Sequence, residues 1–405
     1  MATSGSQLRI DAPSAAHPDS LATEVVERKG RGHPDTLCDQ VAEEMSLALG
    51  SFYQENFGRL FHYNVDKALL WAGATRPAFG GGQVVAPVTL FLAGRATMAH
   101  ERINVPADEI AETVARHCLG ETLHAFDARG QLDVETLLRP TSPELQRVFE
   151  REQQAGVWQA GDSSCGVGFA PSSELERVVL AVEQLLTSRG TIQTNPAIGE
   201  DVKVMGVRCG DRIDLTVATA IVDRYTPDID AYVATIEEVE GLAVGAARRI
   251  STREVRVTVN GGDDVAAGDI YLTVSGTSAE CGDDGQAGRG NRVGGLITPC
   301  RPMVMESVAG KNAATHVGKV YNVVAGRIAE RLVAEIDEID AATCMLVSCI
   351  GRPVAEPQLV QAQVATAPGV DRESLRPRVE HVAGEELARS ATVWEELFED
   401  PPRLY

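Results

Sequence analysis

Apolar positions recur along the chain in two rhythms. Alternation of apolar with polar residues marks strands at Arg212-Ile-Asp-Leu-Thr-Val-Ala218 and Glu254-Val-Arg-Val-Thr-Val-Asn260, and further strand signals fall at 86–93 and 270–275. Such alternation predicts antiparallel sheets with one covered face. The second rhythm is helical. Leu175, Val178, Val179, Val182, Leu185 and Leu186 form one stripe, which predicts a helix over 174–188 that opens with Ser173 and Glu176 at capping-box spacing and closes at Gly190. A like stripe of Val320, Val323, Val324, Ile328, Leu332 and Val333 predicts a helix over 319–336. The pattern is that of an α+β chain, long sheets with covering helices. Residues 1–20 read as a loose N-terminal tail and 367–372 as a loop, with no short repeat and no sharp domain boundary elsewhere.

Composition narrows the class. With 405 residues, 44% hydrophobic and 23% charged, the chain can bury one large core or several smaller ones. No apolar run approaches the ~20 residues of a membrane helix and the first twenty residues lack the apolar stretch of a secretory signal, so no membrane association and a cytoplasmic setting are expected. Eight cysteines are scattered without a Cys-x-x-Cys pair, which predicts reduced thiols rather than a zinc site. A formal charge of −21 argues against nucleic acid as a partner. Any phosphate site must therefore be a local cationic pocket or use metal.

Four segments are too polar and too rich in glycine for their apolar surroundings. Glu27-Arg-Lys-Gly-Arg-Gly-His33-Pro34-Asp35 runs into an amphipathic stripe of Leu37, Val41, Met45 and Leu49, which places His33 at a helix cap and Pro34 at the first helical position. His62-Tyr-Asn-Val-Asp66-Lys67 precedes a triple glycine at 80–82, and Lys203 interrupts an apolar strand pattern in Gly199-Glu-Asp201-Val-Lys203-Val-Met. Each of these three is also what a cap, a strand end or a solvent-facing strand lysine would give. The fourth is denser. Residues 276–295 combine Glu280, Asp283, Asp284, Arg289 and Arg292 with many glycines, followed by Gly310-Lys311-Asn312 and His316-Val-Gly-Lys319. Exposed backbone, paired acids and spaced cations suit a metal-bridged polyphosphate. The P-loop pattern and the dinucleotide Gly-x-Gly-x-x-Gly pattern are both absent.

Together the segments 27–35, 199–206, 276–280, 282–285, 288–292, 295–299 and 310–312 resemble archaeal-type S-adenosylmethionine synthetases (methionine adenosyltransferases), in order, from about residue 21 to the C-terminus. The resemblance implies a 21–405 catalytic unit of three intertwined, similar sheet-plus-helix units about a pseudo-threefold axis, in a homodimer with shared active sites. It implies the joining of methionine sulfur to C5′ of ATP, with phosphate and diphosphate released, and it implies Mg²⁺ and, in many members, K⁺. A thioether carries no proton, so the absence of an activated Ser, Cys or general base is what such an SN2 step requires. By the resemblance, His33 lies near the leaving oxygen, where one placed donor is worth roughly 10²–10³ in rate. Lys203, Arg289, Lys311, His316 and Lys319 become phosphate contacts, and Asp35 with Glu27 nearby becomes the metal site. Asp66, Asp162 and Asp284 surround the methionine and nucleoside.

Three stretches depart from the family pattern. Gly161-Asp162-Ser-Ser-Cys165 loses an aromatic, Ala313 to Thr315 replace Pro-Val-Asn, and Arg139-Pro-Thr-Ser-Pro-Glu144-Leu replaces a Gly-x-Gly-Ser-x-Asp-Leu segment. They leave open a paralogue that adenosylates another acceptor, such as a methionine analogue, and also a non-catalytic partner of a true synthetase.

Overall fold

The computed structural model describes residues 7–147, 149, 157–399, 404 and 405. In chain order the main elements are β1 (Gln7–Asp11), β2 (Thr23–Lys29), α1 (Pro34–Phe57), β3 (Tyr63–Trp71), β4 (Val88–Ala96), α2 (Ala107–Thr122) and β5 (Leu132–Pro140). There follow β6 (Cys165–Ala170), α3 (Glu174–Leu186), β7 (Ile198–Cys209), β8 (Arg212–Val222), α4 (Ile229–Arg248) and β9 (Glu254–Val259). The main elements end with α5 (Val317–Glu335), β10 (Ile339–Val347), β11 (Leu359–Thr366) and α6 (Arg376–Arg389).

Three sheets result, each backed by two of these helices. Strands β3, β4 and β5, with the short strand Gly285–Gln286 at the edge, carry α1 and α2; β2, β7, β8 and β9 carry α3 and α4; β1, β11, β10 and β6 carry α5 and α6. Each layer has its own apolar core, for instance Leu37, Val41 and Met45 of α1 against Leu70 and Leu90, or Val178 and Val182 of α3 against Val204 and Val217. The α+β architecture expected from the two rhythms is therefore present, but the sheets are mixed and not antiparallel throughout: β8 and β9, the two alternating strands, pair in parallel. Among the described residues no helix is long and apolar enough to cross a membrane.

Local rules explain most element ends. The capping box is complete, since Glu176 N–H donates to Ser173 Oγ at 3.1 Å and Ser173 N–H to Glu176 Oε2 at 2.7 Å. That helix stops before Gly190, however. Thr187 Oγ1 donates to Glu183 O at 3.0 Å, and Ser188 then caps a further short helix, Arg189–Thr194, that contains Gly190. The strand expected over 86–93 starts two residues later, because Pro87 separates Ala86 from β4. The strand expected over 270–275 shrinks to Leu272–Thr273. Val274 and Ser275 donate their N–H groups to the buried Glu280 carboxylate at 2.9 and 2.6 Å instead of to a strand.

The loose tail is corrected as well. Residues 1–6 lie outside the described residues, but Gln7–Asp11 pairs in parallel with β11, which gives the edge of that sheet a partner. Downstream, Asp19 accepts from the Glu174 N–H at 2.8 Å, and Arg208 donates to Pro18 O at 2.7 Å. The segment thus straps two of the layers.

Candidate active site

The first centre forms where β2 turns into α1. Glycines 30 and 32 let this turn lie on the β7 backbone: a Cβ on Gly30 would stand 2.3 Å from Val202 O, and one on Gly32 would stand 2.5 Å from Glu200 C. The turn is held by Gly30 N–H to Val202 O at 2.6 Å and Gly32 N–H to Glu200 O at 3.0 Å. His33 is the N-cap of α1, and its Nδ1 accepts from Asp35 N–H at 3.2 Å. A neutral ring capped in this way carries its proton on Nε2. Burial lowers the His33 pKa to about 4, with Lys29, Lys203 and Arg289 pushing the same way against Asp35. At neutral pH His33 is thus an uncharged N–H donor, aimed toward a rim where Asp283 Oδ2 lies 3.9 Å from Nε2.

Around it stand the groups read from the motifs, together with one the motifs did not single out. Lys29 Nζ donates to Asp35 Oδ2 at 2.7 Å and to Arg289 O at 2.7 Å. Lys203, opposite Lys29 in the β7–β2 register, lies 3.4 Å from Glu27 Oε1. The loop carrying Arg289 is clasped to β2 by Asn291, which accepts from Lys29 N–H at 3.0 Å and donates to Lys29 O at 2.7 Å. Asp284 lies at the edge of this centre and accepts from Ala72 N–H at 2.8 Å.

The second centre gathers around Lys311. Its buried Nζ lies 2.6 Å from Asp66 Oδ2 and 3.1 Å from Glu306 Oε1. Burial alone would raise both acids, but Lys311 holds each below the usual carboxylate range, with Lys67 also acting on Asp66. His316 is the N-cap of α5 and its Nδ1 accepts from Gly318 N–H at 3.3 Å; burial, then Lys311, lowers its pKa to about 4. Asp162, Glu306 and His316 each bring one ligand-type atom within 4.8 Å of the others. With Nδ1 accepting from Gly318 N–H, the neutral ring carries its proton on Nε2. A cavity of about 530 Å³ opens here, with Asp66, Asp162 and His316 in its wall.

Helix α1 joins the two centres. Asp35, Asp39 and Glu43 follow one another at i, i+4 and i+8 and accept, in turn, the N–H groups of Gln286 at 2.9 Å, Gly288 at 2.8 Å and Gly310 at 3.0 Å. Burial pushes Asp39 up to about 7, and a Cβ on Gly290 would stand 2.3 Å from its Oδ2. Lys319 belongs to this scaffold and not to a phosphate surface. Its ammonium is fully buried and donates at 2.7 Å to both Glu43 oxygens, which corrects its expected place among the phosphate contacts. The fold gathers His33, Asp35, Glu27, Lys203 and Arg289 at the first centre, whereas Lys311 and His316, expected among the phosphate contacts, stand with Asp66 and Asp162 at the second. Sequence reasoning missed Lys29, Asp39, Glu43 and Glu306.

The donor chemistry of the first centre fits a hard divalent cation. Asp35 and Glu27 bring carboxylate oxygens, the donor type Mg²⁺ prefers, and each now faces a lysine, Lys29 at 2.7 Å and Lys203 at 3.4 Å, that a cation would displace. The site thus pairs an uncharged donor among cations at one end with a balanced cluster of acids beside a cavity at the other. Residues 6–401 match the model of the S-adenosylmethionine synthetase (AdoMet synthetase) family, so the chain belongs to that family. It is 46% identical over 376 residues to a probable S-adenosylmethionine synthase of Aquifex aeolicus, covering 93% of this chain and 94% of that protein. It is 42% identical over 399 residues to the S-adenosylmethionine synthase of Methanothrix thermoacetophila, covering 98% and 99%, and 44% identical over 376 residues to that of Haloarcula marismortui, covering 93% of each.

Proposed function

We propose that this chain is a methionine adenosyltransferase that forms S-adenosylmethionine from ATP and L-methionine. A sulfur lone pair forms the bond to C5′ while the C5′–O bond breaks, and its electron pair leaves on the triphosphate. No proton needs removing, so the protein's task is alignment and charge stabilisation. The observation that carries this reading is His33, neutral and donating from Nε2, ringed by Lys29, Lys203 and Arg289.

In this reading those four groups take the triphosphate, and Asp35, with Glu27 and Asp283 near it, holds Mg²⁺. The metal would screen the phosphate charge. Asp66, Asp162, Lys311 and His316 face the methionine and the growing positive charge on sulfur, and Asp284 flanks the nucleoside. The triphosphate is then hydrolysed to phosphate and diphosphate. The three layers, each a sheet with two helices, support the reading of three repeats about a pseudo-threefold axis.

The layer of β3, β4 and β5 leaves one face uncovered, with Leu69, Trp71 (60% exposed) and Leu137 beside Lys67. An open apolar face of this kind favours a second copy, so a homodimer with shared sites is proposed. Mixing His33→Asn with Lys311→Met protein tests the sharing: two strongly impaired proteins gain activity together, above the sum of the two alone, if one copy supplies each centre. The reaction itself is tested by mass spectrometry with ATP, Mg²⁺, K⁺ and methionine, following phosphate in parallel. Methionine-dependent sulfonium product and phosphate are expected; phosphate without the sulfonium would reject methionine as the acceptor.

A further inference from the structure

The cavity at the second centre carries its charges unevenly. Lys311 is held between Asp66 and Glu306, and Lys67 also bonds Asp66. Two arginines in the lining of the same cavity differ. Arg95 on β4 and Arg139 on β5 are in register on neighbouring parallel strands and both line the cavity. Adjacent strands lie about 4.8 Å apart, so the two side chains leave the same face of the sheet as neighbours and bring two like charges to it. Among the described residues neither has a carboxylate partner, and the polar contact shown is Arg95 Nη1 to Pro140 O at 3.4 Å. A planar pair of forks with no acid between them is a seat for a carboxylate.

Asp162 completes the pattern. It lies in the wall of the same cavity, and among the described residues no Lys or Arg pairs with it; its Oδ1 accepts from Ser163 N–H at 2.7 Å. Leu137, Leu145 and Phe149 supply apolar lining to the cavity. The lining thus holds groups that want an anion, a group that wants a cation and apolar surface, which is the outline of a free α-amino acid with an apolar side chain.

We propose that Arg95 and Arg139 clamp the α-carboxylate of the acceptor amino acid while Asp162 takes its ammonium, so that the cavity selects zwitterions. The proposal rests on the reading of methionine as acceptor. It explains how the site would turn away thioethers that lack the amino-acid head: without a carboxylate the paired arginines stay unsatisfied.

Steady-state kinetics with methionine and methioninamide, which keeps the amine but not the carboxylate, tests it. The unmodified protein is expected to prefer methionine by about 100-fold in kcat/KM. Arg95→Gln and Arg139→Gln each cut that preference to about 10-fold, the double variant brings it near parity, and KM for ATP stays put. The loss falls on methionine alone. Arg139→Lys keeps part of the preference, because it retains charge without the fork. The clamp is overturned if the variants leave the preference intact, or if both acceptors and ATP suffer alike, as they would were the arginines only contacts to a second copy. If the unmodified protein forms no sulfonium product from methionine, the acceptor reading itself fails, and the clamp with it.

Discussion

His33 and His316 begin their helices in the same way and sit in opposite fields. Each is an N-cap whose Nδ1 accepts the N–H two residues on, and burial lowers each to about 4. Around His33 the charges are chiefly cations, Lys29, Lys203 and Arg289; around His316 they are Glu306, Asp162 and Asp66 with Lys311 among them. One local device, a neutral ring donating from Nε2, is thus used twice. What differs is the charge each surrounding is built to receive: negative on a departing triphosphate at α1, positive on an amino acid and its sulfonium at α5. A helix cap in sequence says little until its neighbours are known.

The largest effect is expected from emptying the acidic centre of its cation. Lys311→Met removes the buried ammonium between Asp66 and Glu306 and leaves only Lys67, on the Asp66 side, as counter-charge, and kcat/KM should fall by about 10³-fold. Activity kept within tenfold would make the second centre scaffolding and erase the contrast with the first. Next comes the link between the centres. Lys319→Met strands the Glu43 carboxylate, which also holds Gly310, and should cost about 3–5 kcal/mol in urea unfolding. A Glu43→Leu, Lys319→Met pair should recover most of that loss, since an apolar pair of similar volume needs no desolvated charges. No recovery would mean that the ion pair itself, not its filling of space, fixes α1 against α5.

Those two lysines also mark where the sequence could be read and where it could not. Lys311 and His33 were legible because glycine-rich, charge-dense runs have few purely structural uses, and the Pro34 start and the Ser173 box obey local rules that the fold keeps. Lys319 looked the same as Lys311 in the motif. Only the fold shows Glu43, on a helix 276 positions away, closing over it. Asp39 and Glu43 were missed for the converse reason: acids at i, i+4 on a helix normally face water, and their partners here are backbone N–H groups of a distant loop. The strap of Gln7–Asp11 was invisible because a five-residue edge strand has its partner some 350 residues on, at Leu359 and beyond.

A smaller effect separates cap from chemistry. His33→Asn keeps a good N-cap residue but removes the Nε2 donor, so turnover should drop about 10²-fold while the unfolding midpoint barely moves. Equal losses of stability and rate would show that His33 serves α1 and not the leaving group.

The smallest effect is in the pH dependence of stability, and it asks whether the two caps are as alike as their geometry. Both imidazoles titrate near 4 when folded against an ordinary 6.5, so the folded state binds protons less readily than the unfolded chain. Stability from each is therefore full above pH 6.5 and lost as pH falls from 6.5 toward 4. Replacing either histidine by asparagine should flatten that acid-side decline by of the order of 1–2 kcal/mol between pH 7 and 5. Asp35 works against burial at His33 while Lys29, Lys203 and Arg289 add to it; Lys311 adds to burial at His316 while Glu306, Asp162 and Asp66 work against it. Both rings arrive near 4, so the two variants should flatten the curve to a like extent. Clearly unequal slopes would mean that the opposite fields, and not burial, set the two rings.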